Sequence, residues 1–193
     1  VAGRQAGLGG VADSVVMSEI TQDMSPAVTF GLLAAWALHD AEEVVFGPRW
    51  IRSSLPELRE RFSGVPERFW KALEGVDQRE FTVAVGAMAA VVAAASVRGH
   101  RTGGRSAFFQ GAVDGFGLHG LVHLAQAAAV RGYTPGSVTS PLIVIPYAVW
   151  ARGRLRRTGR LRPTDARGAV SGLAMAGAAT ALSHFVARRL VRR

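Results

Sequence analysis

Hydrophobic positions along the chain gather into five apolar segments separated by polar, Arg-rich stretches. The first, Ala27–Phe46, reads AVTFGLLAAWALHDAEEVVF and is about as long as a helix that crosses a bilayer. The second, Phe81–Val97, is uninterrupted and rich in the small residues that let helices approach closely. The third, Ala107–Val130, carries polar insertions. The fourth, Val138–Trp150, is short and holds Pro141 and Pro146, whose freed backbone groups neighbouring helices must satisfy. The fifth, Ala166–Val186, is again rich in Ala and Gly. Period-two alternation, the mark of a membrane β-barrel, is missing, and no internal repeat is visible. The pattern predicts an all-α fold: a multi-pass transmembrane bundle of about five helices, forming one domain over residues 27–193.

Two regions fall outside the five segments. Residues 1–26 are Gly-rich and begin at Val1 without an apolar core of signal-peptide type, so they read as a flexible or surface-lying lead-in. Residues 47–79 form a polar insert. Within it, Leu55–Phe62 and Pro66–Leu73 alternate charge with Leu, Phe and Trp at helical spacing, and Pro66 suits a first-turn position. The insert reads as amphipathic helices on the membrane interface or as a small solvated cap over the bundle. Leu58, Phe62, Phe69 and Trp70 should face bilayer or bundle, with Glu57, Glu60 and Arg61 in water. Trp50, Trp70 and Trp150 stand at segment ends, as interfacial Trp often does.

Composition sharpens this picture. The chain has 193 residues, 49% of them hydrophobic, yet its formal net charge is +9; the mean hydropathy is +0.19. Such a charge suggests nucleic acid at first sight. The Arg residues, however, cluster at the ends of apolar runs, at Arg152 to Arg167 and Arg188 to Arg193. That distribution fits anchoring to anionic membrane lipid, with no nucleic-acid partner. The cations divide almost evenly between the two sides, but the dense 152–167 loop favours a cell-membrane protein with a cytoplasmic N-terminus. Cysteine is absent, which excludes disulfides, thiolate metal sites and a Cys nucleophile.

Candidate chemistry lies inside the apolar runs. An ionisable group at membrane depth costs roughly 2.5–3.5 kcal/mol on insertion scales, so it usually faces a bundle interior. At about 100° per residue, His39 and Glu43 are neighbours on one helical face and Glu42 lies beside them, while Asp40 points elsewhere. In the third segment His119 and His123 share a face, at the spacing by which a helix gives two nitrogens to one metal. Phe116 and Gln126 border that pair; Asp114 falls nearly opposite. Helix bundles build metal sites from facing helices in this way. The metal set is therefore His39, Glu42, Glu43, His119 and His123. It would take a divalent transition metal, Zn or Fe, as one ion or two. Glu42 and Glu43 are the candidate catalytic residues, because a Glu that is not a ligand can act as general base. Two other readings stay open: a buried polar network or proton relay, and a haem held by two His. His184 reads as interfacial and His100 as solvated. Tyr133, in the tight 131–136 connection, is an interfacial anchor or a hydrogen-bond donor to the site.

The run His39-Asp40-Ala41-Glu42-Glu43 resembles the signature of the bacterial HXXEE-motif proteins, small multi-pass membrane proteins named for it. His119 and His123, the following Arg131-Gly132-Tyr133-Thr134-Pro135-Gly136 and the Ile145-Pro146 step resemble the same family, over roughly residues 27–150. The resemblance implies a membrane-embedded, metal-dependent protein of enzymatic type without supplying a reaction. The expected function is a membrane-embedded metal-dependent enzyme acting on a lipophilic small molecule or lipid. The runners-up are a metal-ion or proton transporter or carrier, and a bis-His haem protein. Lack of an inverted repeat disfavours transport.

Overall fold

A computed structural model describes residues 24–163 and 166–191. The expected lead-in, 1–26, lies outside the described residues except for its last three. The described chain is helical throughout, without strands: α1 (Pro26–Arg61), α2 (Glu67–Glu74), α3 (Gln78–Arg101), α4 (Ala107–Val130), a π-helical turn (Ser140–Val144), α5 (Ile145–Arg157) and α6 (Ala166–Val191).

Local chemistry sets most of the boundaries. Ser25 caps α1 by accepting from the Ala27 N–H, with Pro26 in the first turn. Asp77 caps α3 by accepting from the Arg79 and Glu80 N–H groups, and Ser106 caps α4 through the Phe109 N–H. Arg131 ends α4 in the left-handed region, with φ 57°.

α1 departs from expectation. It does not end near Phe46 but runs for 36 residues through Pro48 and Pro56. A proline has no N–H, so Pro48 leaves the Val44 carbonyl without its helical donor. The Gln78 side-chain amide donates to that carbonyl at 2.9 Å. The first half of the insert is thus a continuation of the same helix. Its far end carries Leu55 and Leu58 into a small second core with Trp70 of α2. The Trp70 indole N–H donates to the Val65 carbonyl at 3.2 Å, and Arg59 ties α2 down through Glu67 at 3.0 Å and Glu74 at 2.7 Å. Trp70 is a core residue here, Phe62 is half-buried and Phe69 is exposed, while Glu57, Glu60 and Arg61 face outward. Pro66 stands just before the first turn of α2.

The main core lies at the other end of the bundle. Val28, Leu32 and Ala35 of α1 meet Val92 and Ala95 of α3, Phe109 and Val113 of α4, and Val144, Ala148 and Leu155 around α5. α4 approaches the π turn closely: a methyl on Gly120 would come within 2.9 Å of the Val144 side chain. Among the described residues one helix, α3, is long and apolar enough to cross a membrane. The expectation of about five spans is not carried by length and composition. His39, Asp40, Glu42 and Glu43 dilute α1, Gln110, Asp114, His119 and His123 dilute α4, and α5 has only 13 residues.

Candidate metal centre

The histidines and glutamates converge where α1 faces α4. The α-helical repeat puts His39 and Glu43 on one face of α1, and His119 and His123 on one face of α4. His39, Glu43, His119 and His123 each offer one ligand atom, and all four atoms lie within 4.8 Å of one another, close enough to bind a metal ion. The His123 Nε2 is 2.9 Å from the His119 Nε2 and 3.1 Å from the Glu43 Oε1. The three imidazoles meet edge to face, with ring centroids 4.3–5.1 Å apart. His39 and His123 are buried, Glu43 is half-buried and His119 is exposed.

Glu42 does not join this set. It points toward the chain that follows α4. There Tyr133 donates its phenol O–H to Glu42 Oε1 at 2.9 Å. Thr139 donates its N–H and its hydroxyl to Glu42 Oε2, at 2.9 Å and 2.6 Å. The Thr139 Oγ1 also lies 2.7 Å from His39 Nδ1. A carboxylate only accepts, so the hydroxyl proton goes to Glu42 and the oxygen accepts from His39. His39 therefore carries its proton on Nδ1. Its Nε2 is left with a bare lone pair, buried and without a partner. A group that orients an imidazole through its second nitrogen is the usual support of a metal-binding histidine. The donor set fits a divalent cation, and imidazole with carboxylate suits Zn and Fe alike.

The turn between α4 and the π helix completes the centre. Gly136 has φ 84°, a conformation that L side chains avoid. A Cβ there would lie 2.7 Å from the His123 ring and 2.9 Å from the His39 ring. Glycine is required both by the backbone and by the two imidazoles packed on it.

The remaining sequence candidates fall elsewhere. Gln126 and His100 are exposed. Asp114 pairs with Arg152. Tyr133 proves to be a donor to Glu42. His184 stands against Phe81, with ring centroids 6.3 Å apart, on the wall of an adjoining apolar cavity of ≈ 270 Å³ between α1, α3, α4 and α6. Glu43 and His119 belong both to the metal cluster and to this cavity wall. Thr139 escaped the sequence reading, since one Thr before a proline-rich segment carries no periodic signal; its place two turns of chain beyond Tyr133 was the only pointer.

A helical bundle whose facing helices bring three imidazoles and one carboxylate together defines the class, an all-α protein with a candidate metal centre. The family model described as "Protein of unknown function with HXXEE motif" matches residues 30–151. The chain belongs to that family, and His39, Glu42 and Glu43 are the letters of its motif. No curated protein and no solved structure matches the chain.

Proposed function

We propose that this protein is a metal-dependent enzyme acting on a lipophilic small molecule or lipid, with its bundle embedded in a membrane. One observation carries the reading: the four-residue cluster shares Glu43 and His119 with the wall of an apolar cavity. A cation held by His39, Glu43, His119 and His123 would supply Lewis-acid polarisation of a substrate oxygen.

The chain's own residues do the rest. Thr139 and Glu42 hold the His39 ring in one tautomer. With three donors on its two oxygens, Glu42 is an orienting group rather than a free base. Glu43 reaches the cavity as well as the cluster; one of its oxygens would hold the cation, and the other is placed to take a proton from a molecule bound in the cavity. Phe81, Val92 and Phe116 line the cavity and keep water from that proton. Haem is disfavoured, because a flat macrocycle cannot fit between His119 and His123 nitrogens 2.9 Å apart. The membrane part of the proposal draws on α3 and on exposed Leu38, Phe46, Leu121, Leu142, Val149 and Leu182.

Elemental analysis and a visible spectrum of purified protein test the reading. A stoichiometric transition metal is expected, absent from His39→Ala and His123→Ala and kept by His100→Ala. Full metal content in both of the first two variants would sink it. Carbonate washing should leave the protein in the membrane pellet; release into the supernatant would remove the bilayer from the proposal.

A further inference from the structure

One ionisable group of the motif is not used by the centre. Asp40 follows His39, and one helical step of about 100° turns it off the cluster and onto the cavity wall. Trp36 and Glu43, one turn away on either side, line the same wall. The Asp40 residue is only 8% exposed, and it makes no hydrogen bond or ion pair with any described residue.

The other carboxyl groups that are buried or half-buried within the bundle helices all have partners. Glu42 accepts from Thr139 and Tyr133, Glu43 faces His123, Glu80 accepts from Arg188 at 2.7 Å, and Asp114 pairs with Arg152. The Asp40 carboxyl oxygens are not among the fully buried polar atoms that lack a partner, so they keep open surface where Asp40 lines the cavity; a carboxyl on so closely buried a residue is costly to leave unpaired. The partner within its reach is what occupies the cavity, water or a ligand.

We propose that the cavity binds a lipophilic alcohol, with its hydroxyl held by the Asp40 carboxyl and its hydrocarbon body against the apolar walls. The proposal deepens the reading of the cavity as the substrate site and rests on it. A hydroxyl both donates and accepts, so it serves a carboxyl group in either protonation state. A plain hydrocarbon leaves Asp40 unpaired. An ammonium serves only the ionised form and carries its own charge among Phe81, Met88 and Phe116. Held at Asp40, the hydroxyl end of the alcohol lies beside Glu43 and His119, the two residues that the cavity shares with the cluster. Asp40 is thus a specificity residue: it selects the polar end of the ligand and turns that end toward the centre.

The test uses the full chain, purified in detergent, loaded with zinc and photolysed with a diazirine-bearing octanol. Mass spectrometry locates the label and elemental analysis reads the zinc. Labelling is expected on cavity residues such as Trp36, Met88 and Phe116, with octanol competing and octane not. Asp40→Leu should lower that labelling on the order of tenfold, the worth of one hydrogen bond to a carboxyl group. Asp40→Asn should retain it, because an amide also donates and accepts. Undiminished labelling in Asp40→Leu, or octylamine competing better than octanol, overturns the proposal. The outcomes separate the two readings. Asp40-dependent labelling of a chain that binds no zinc upholds the alcohol site and removes the metal centre. A chain that binds zinc but takes no label in the cavity upholds the centre and removes the alcohol site.

Discussion

The hydroxyl of Thr139 lies 2.7 Å from Nδ1 of His39, a residue one hundred positions earlier in the chain. Because that hydroxyl gives its proton to Glu42, it fixes which His39 nitrogen is free. Thr139→Val keeps the shape and removes the oxygen. We expect metal affinity to fall by about 10–100-fold, the usual effect of losing a group that orients a ligand. Thr139→Ser should restore most of it. Competition with a chelator of known affinity measures both, and circular dichroism should show the same helix content in each.

Gly136 bears on stability as well as on the centre. In Gly136→Ala the left-handed backbone alone costs about 1–3 kcal/mol, and the new methyl overlaps the rings of His39 and His123. A lower midpoint of thermal unfolding and a lower metal content should appear together. Gly132→Ala, with open space around its Cβ, should leave the metal content unchanged.

The Gln78 bond to the Val44 carbonyl is a repair for Pro48. Gln78→Leu should destabilise the fold by about 1–3 kcal/mol, the cost of an unsatisfied polar group. Pro48→Ala supplies the missing N–H, so the double variant should lose less than the sum of the two single losses. Chemical denaturation of all four proteins in a double-mutant cycle gives the coupling directly.

Tyr133 gives a pH signature. Partial loss of water around the phenol and the hydrogen bond it donates to Glu42 push it up to about 12. An unfolded tyrosine titrates near ~10. The folded value is the higher one, so the stabilising contribution of Tyr133 is complete below the unfolded value. It disappears as the pH rises through the folded value. Phenolate absorbance of the native protein, less that of Tyr133→Phe, should rise around pH 12 rather than two units lower.

The helices were legible because the apolar runs are long and lack period-two alternation, and His39, Glu43, His119 and His123 were legible because four residues make about one turn. Glu42 shows the limit of that logic. At three residues from His39 it shares the face by angle, yet Thr139 and Tyr133 draw it away, and both come from a turn that no helical period can place. The run of α1 through Pro48 was hidden for a similar reason. The proline reads as a stop, and its compensation comes from Gln78, beyond the next helix. The five expected spans rested on segment lengths, and the same polar residues that build the centre remove α1 and α4 from that count.

The length of α1 has a consequence for how a substrate would be measured. Its 36 residues make a rod of ~54 Å, against roughly 30 Å for the hydrocarbon of a bilayer. In the membrane arrangement proposed above, with the Arg105 and Arg160 end of the bundle at one face, His39 would lie ~20 Å into the slab, and nearly half of the rod would stand clear of it with α2 attached. In that arrangement a ligand dissolved in the hydrocarbon would arrive sideways without crossing bulk water. Its effective concentration is a mole fraction within the bilayer, set by its partition coefficient. Rates should scale with that fraction and fall when inert lipid is added at constant total substrate.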